Sequence, residues 1–261
     1  MKRTIALILF YFGYNLIFGA LAVAGYCAYL MSGGASMDDL LSSAASMPLG
    51  FALVAEVCAT LAIVIHLVLA GDVKLDRATF SPVSVRLMVA AVVLIVGMGC
   101  WTNYLTELIG LPDKNAALME GMLRTPLGII SIVLLAPVAE EMLFRGGIQR
   151  CLTNKWSNPW AGICLASFIF GAIHLNPVQI PFAFVTGMAL GYVYWRTGSL
   201  LPGIVMHLIN NGTSVVLYYA GGCDYGATMV GDLGKSGALL VAMLGAVMTL
   251  WSVYVIHTRV K

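Results

Sequence analysis

Thr125 to Cys151 reads TPLGIISIVLLAPVAEEMLFRGGIQRC, and the fold turns on whether its charged second half lies in lipid or in water. The stretch is apolar enough to cross a bilayer, yet it carries Glu140, Glu141 and Arg145. Ionisable groups at membrane depth are costly unless they are paired and put to use. At helical spacing Glu141 and Arg145 lie four residues apart on one face and can pair, while Glu140 points about 100° away. One carboxylate is then held by a guanidinium and the other is free to handle protons. The plainer alternative ends the span near Ala139 and leaves EEMLFRGGIQR as a solvated cytoplasmic helix, the ordinary role of clustered charges.

The rest of the chain favours lipid. Of 261 residues, 60% are hydrophobic and 10% charged, against roughly 25% charged in an average soluble domain. Apolar runs of the length a helix needs to cross about 30 Å of hydrocarbon fall at 4–31, 48–70, 86–110, 125–151, 159–175, 178–196, 200–220 and 237–257. The expected fold is therefore all-α, a polytopic integral membrane protein of about eight transmembrane helices bundled around an intramembrane cavity. Short turn-like loops separate the runs, among them Leu111-Pro112-Asp113, Asn158-Pro159, Asn176-Pro177 and Leu201-Pro202-Gly203. None can hold a soluble domain, and no internal repeat is present. The chain is one integral domain, 1–261, with N-terminal helices over 1–124 as scaffold or gate, motif helices over 125–220 and a C-terminal helix over 221–261.

Charge sets the orientation. Lys2, Arg3, Lys74, Arg77, Arg86, Arg150, Lys155, Arg196, Arg259 and Lys261 fall on one side, and only Lys114, Arg124 and Lys235 on the other. Positive residues gather on the cytoplasmic side, so both termini are expected there, in the cell (inner) membrane. The net charge of +2 gives no reason to expect nucleic acid. The first segment has a basic start and an Ala22-Val23-Ala24 sequence like a signal-peptide cleavage site, but its apolar run continues to Leu30, which favours a retained span. The six cysteines show no metal-finger spacing and are expected to be buried single thiols.

Polar residues recur in two further spans. His174 follows Phe170 by one turn in FIFGAIHLN, and His207 precedes Asn211 by one turn in HLINN, where Asn210 is the neighbour. A lone histidine in a span is often only bonded to another helix; two histidines, an asparagine and a Glu-Glu pair in three spans are harder to set aside. Two mechanisms fit. In one, a carboxylate is general base to a water, a histidine shares its proton, and a second histidine with the asparagine donates to the oxyanion of an amide. In the other, Glu140, His174 and His207 hold a divalent metal such as zinc that acidifies a bound water. HExxH, the strong zinc signature, is absent, and the metal-independent version is favoured.

EEMLFR (Glu140, Glu141, Arg145), FGAIH (Phe170 to His174) and HLINN (His207 to Asn211) resemble, in order, the EExxxR, FxxxH and HxxxN motifs of the CPBP family. That family comprises type II CAAX prenyl endopeptidases and bacteriocin-processing or immunity proteins, also called Abi proteins. The resemblance covers about the C-terminal half. It implies an eight-helix intramembrane endopeptidase acting on a peptide or membrane-anchored protein. Glu140 would activate water with His174, Glu141 and Arg145 would support the site, and His207 with Asn211 would stabilise the oxyanion. Family members are often labelled metalloproteases, while a glutamate mechanism without metal has also been argued, and both stay open. A non-enzymatic immunity protein or peptide-binding scaffold is the alternative class. A transporter would show repeated halves, and none is seen.

Depth poses a difficulty. At about 1.5 Å per residue, Glu140 lies about 15 Å from Arg150 and His207 about 16 Å from Arg196, but His174 about 28 Å from Lys155. These agree only if the helix carrying His174 starts above the membrane surface or if the Asn176-Pro177 hairpin turns against protein. Glu56, a carboxylate within the second span, either lines the substrate cavity with Phe170 and Asn210 or bonds a neighbouring helix, the second being favoured. Pro137 is expected to kink the helix that carries Glu140.

Overall fold

The computed structural model describes residues 2–36, 38–40 and 47–259; Lys261, counted above for orientation, lies outside them. Every regular element among the described residues is helical: α1 (Lys2–Ser32), α2 (Leu49–Leu69), α3 (Val85–Ile109), α4 (Ala116–Leu123), α5 (Pro126–Lys155), α6 (Pro159–Ala172), α7 (Gln179–Thr197), α8 (Leu200–Ala220) and α9 (Met229–Arg259). Six of them, α1, α2, α3, α5, α8 and α9, are long and apolar enough to cross a membrane. Large side chains such as Leu16, Leu69, Val216 and Leu250 stand exposed on their outer faces, where lipid rather than water is the fitting solvent. The chain is an all-α polytopic integral membrane protein. The remaining two expected spans are also helices, but α6 has only 14 residues and α7 dilutes its apolar run with Gln179, Thr186 and Arg196.

The ends of the helices follow local chemistry. Thr125 accepts from the Gly128 amide with Pro126 in the first turn of α5, and Asn158 accepts from the Trp160 amide ahead of Pro159 in α6. Both are N-caps of the ordinary kind, with proline where its missing N–H costs nothing. Gly110 and Gly198 close α3 and α7 with φ of 65° and 67°, the left-handed cap that glycine tolerates. One loop is corrected: Leu201-Pro202-Gly203 lies inside the first turn of α8, capped by Ser199. The break comes earlier, at Gly198-Ser199, because proline suits a first turn as well as a loop. In α9 the backbone leaves the helix at Gly234 (φ 68°, ψ 165°), so the apolar run from 237 begins just past a kink.

Packing separates the bundle into parts. α9 lies on α3 with backbones nearly touching: a Cβ on Gly97 would sit 2.7 Å from the Gly245 carbonyl. α1 pairs with α2 through Tyr26 and Phe51, and Arg3 at its start is ion-paired to Asp72. α5 runs through the middle, where Phe144, Ile148 and Leu152 meet Leu7, Leu67, Val73 and Phe170. The cysteines depart from expectation: four are half-buried, Cys164 and Cys223 are exposed, and all six are free thiols. An apolar run in a membrane protein has a lipid face as well as a core face, so hydropathy alone does not bury a side chain.

Candidate active site

Residues Met142–Gln149 of α5 are all buried, so EEMLFRGGIQR is not a solvated helix. Arg145 Nε lies 3.3 Å from Glu141 Oε2, with both side chains essentially without exposure. The contact is one of charge rather than a hydrogen bond, since neither atom has a hydrogen-bond partner. The guanidinium is held in two further ways: Nη2 donates to the Gly187 carbonyl of α7 at 3.2 Å, and its carbon lies 4.9 Å from the centre of the Phe170 ring, within cation–π range. One turn on, Gln149 repeats the grip, donating to the Gly191 carbonyl at 2.8 Å. Missing side chains make room for this stripe. A Cβ on Gly191 would lie 2.7 Å from Gln149 Oε1, and a Cβ on Gly203 would lie 2.8 Å from Glu141 Oε2.

His207 of α8 enters between the two glutamates. Its Nδ1 is 3.3 Å from Glu141 Oε1 and its Nε2 is 3.6 Å from Glu140 Oε2. Glu141 is wholly enclosed, whereas the Glu140 side chain keeps 20% of its exposure, so Glu140 is the carboxylate that a small reactant reaches. His174 lies beyond the last turn of α6 rather than within it, because α6 stops at Ala172. Its Nδ1 is hydrogen-bonded to the Phe170 carbonyl at 2.8 Å. The Phe170 ring stands edge-on to both imidazoles, 5.1 Å from His174 and 5.8 Å from His207 between centres.

Pro137 leaves a further mark. Proline offers no N–H and disturbs a helix interior, and here the turn before it, Ser131–Leu135, is π-helical. The Ala136 amide donates to the Ser131 carbonyl, and Pro137 has no hydrogen to give, so the Ile132 carbonyl lacks a helical donor. Asn211 supplies one, its Nδ2 donating to Ile132 O at 2.9 Å, and its Oδ1 accepts from Asn210 Nδ2 at 3.1 Å. Such wide turns occur often at functional sites. Glu56 of α2 accepts from Ser131 Oγ at 3.1 Å, a bond to a neighbouring helix.

The depth difficulty eases in this arrangement. α6 is short and starts at Pro159, and the Asn176-Pro177 turn is packed against protein: fully buried Asn176 donates to Asp113 Oδ1 at 2.8 Å and accepts from the Lys114 amide at 3.1 Å. Gln149, Ser131 and the glycines at 187, 191 and 203 were not singled out from sequence. Gln149 carried a signal, standing four residues after Arg145 as Arg145 stands after Glu141. The glycines carried none, since their use depends on which helix faces them.

The fold and the cluster define a class: a helical membrane protein with paired acids, an imidazole and a guanidinium gathered inside its bundle. Residues 123–213 match the Rce1-like family, described as type II CAAX prenyl endopeptidase Rce1-like. This segment holds all three motifs, and the match supports the CPBP/CAAX protease family to which they were likened. YdiL of Bacillus subtilis (strain 168), provisionally named a membrane peptidase, is 29% identical over 110 residues, 42% of this chain and 45% of YdiL. A 24.3 kDa protein of Escherichia coli without assigned function is 29% identical over 86 residues, 31% of this chain and 40% of that protein. The chain thus matches less than half the length of these curated relatives. No solved structure matches it.

Proposed function

We propose that this protein is an intramembrane endopeptidase that hydrolyses a peptide bond in a membrane-associated protein or peptide. The observation that carries the reading is His207 set between Glu140 and Glu141, with Arg145 compensating the deeper carboxylate. Glu140, the more accessible acid, is the general base: it takes a proton from a water that His174 helps to hold, and the hydroxide adds to the scissile carbonyl. The carbonyl oxygen gains negative charge. With hydrogen on both nitrogens, His207 directs one N–H toward Glu141, and the Nε2 N–H, which faces Glu140 at rest, turns to that oxygen once Glu140 has taken its proton, together with the second amide hydrogen of Asn211. Glu140 then passes its proton to the leaving amine, and the carbon–nitrogen bond breaks.

A zinc route would use Glu140, His174 and His207. With His174 Nδ1 on the Phe170 carbonyl and His207 Nδ1 beside Glu141, each ring would offer Nε2 to a metal, the usual orientation of a ligating histidine, with Glu140 Oε2 3.6 Å from His207 Nε2. Because HExxH is absent, the proposed steps run through the chain's own groups; a bound zinc would acidify the attacking water instead. The site is proposed to open toward the cytoplasm, with both termini on that side of the inner membrane. Labelling single cysteines near Ala136 with a membrane-impermeant thiol reagent tests this, and reaction only from outside would refute it.

The decisive experiment incubates the protein in lipid nanodiscs with candidate peptides, prenylated and unprenylated, with and without chelator. Cleavage that Glu140→Gln abolishes supports the enzyme. A function in peptide binding or immunity that survives Glu140→Gln, without cleavage, points to the scaffold instead.

A further inference from the structure

The N-terminal helices hold none of the three motifs, yet one of their carboxylates reaches the helix that carries Glu140. We propose that Glu56 and Ser131 are positioning residues for Glu140: together with Asn211 they lock the wide turn created by Pro137 and so set how the following residues face His207. This rests on the endopeptidase reading for its consequence in catalysis, though not for the geometry.

A π-helical turn alters the rotation of everything beyond it, since each such turn takes more residues than an α-helical one. Glu140 lies downstream of Ser131–Leu135 on the same rod. Its bearing toward His207 is fixed only if that turn is fixed. Two successive residues of the turn are gripped from two different helices. Ser131 Oγ donates to Glu56 on α2 at 3.1 Å, and Ile132 O accepts from Asn211 on α8 at 2.9 Å. Ser131 has no exposure, so without Glu56 its hydroxyl would lose this acceptor inside the bundle.

The chemistry of the bond chooses the variants. In Glu56→Gln the amide oxygen accepts from Ser131 as the carboxylate did; Glu56→Leu and Ser131→Ala remove the bond. In nanodiscs, Glu56→Leu and Ser131→Ala are expected to lower kcat about 10-fold with KM within about twofold, a fraction of what a misplacement near 1 Å costs. Glu56→Gln should keep kcat within about threefold of the native protein, and joining Glu56→Leu to Ser131→Ala should cost no more than either alone. Hydrogen exchange of amides 132–141 should quicken in the Leu and Ala variants, but not in Glu56→Gln or Glu140→Gln. A fall in Glu56→Gln as deep as in Glu56→Leu would overturn the proposal, because charge rather than the bond would then matter. Unchanged exchange in both Glu56→Leu and Ser131→Ala would also overturn it. If the native protein cleaves no peptide, the endopeptidase reading fails, and the exchange pattern still decides whether the lock exists.

Discussion

The α1–α2 pair and the α5–α8 region obey opposite rules of burial. α1 is a 31-residue apolar helix of which only Thr4, Leu7 and Tyr26 are buried, while the charged eight-residue run Met142–Gln149 is buried throughout. In water the apolar helix would be inside and the charged segment outside. In a bilayer apolar side chains lose nothing by facing lipid, and charges gain by finding one another. The difference teaches that polar residues, rather than hydrophobic ones, mark the interior of this molecule. It also implies that substitutions should matter by their distance from the cluster, and changes at four positions test that.

The largest effect is expected at Glu140. Replacing it by Gln keeps shape and removes the base, so cleavage should fall about 10²–10⁴-fold, while the unfolding midpoint in detergent stays near that of the native protein. Peptide turnover beside a thermal melt checks both. Activity that persists in the variant would remove Glu140 from the chemistry and leave the buried cluster a structural one.

Arg145 should come next, and through stability. Its guanidinium answers Glu141, Phe170 and the Gly187 carbonyl. Arg145→Leu leaves Glu141 enclosed without its cation, a loss of about 3–5 kcal/mol for a broken buried pair. Lysine should rescue little, because it offers a point charge where a planar fork is gripped. Denaturant unfolding of the two variants in mixed micelles measures the loss; a cost below about 1 kcal/mol for Arg145→Leu would mean that Glu141 does not depend on this pairing.

How much of this was legible from residues alone depends on whether the cause was local. Most helix positions were, because apolar runs and caps such as Thr125-Pro126 and Asn158-Pro159 act within a few residues; the short α4 (Ala116–Leu123) fell outside the expected runs. The Glu141–Arg145 pair was too, being one helical turn. The seat of His207 was not, since it depends on how α8 is rotated against α5, and sequence spacing fixes no rotation between helices. Pro137 signalled a disturbed helix, but not that Ile132 would be answered by Asn211 from another helix. His174 was placed inside a span because its apolar run continues to Leu175; the chain leaves the helix earlier, and Leu175 itself has φ of 52°.

The two regions can be set against each other with one chemical change, glycine to alanine. At Gly203 the new Cβ would lie 2.8 Å from Glu141 Oε2, so the carboxylate or α8 must shift. A cost of about 1–3 kcal/mol is expected from overpacking, with turnover reduced about 10-fold or more as Glu141 moves against His207.

At Gly13 of α1 the same methyl meets nothing within 4 Å, and only helix propensity is left to act. Gly13→Ala should therefore raise stability by about 0.5–1 kcal/mol and leave turnover unchanged. This is the smallest effect of the series and the only one with the opposite sign. Thermal unfolding of both glycine variants in the same lipid resolves it. A loss at Gly13 comparable to that at Gly203 would mean that this face of α1 is packed against something in the membrane, and that burial in α1 is not confined to Thr4, Leu7 and Tyr26.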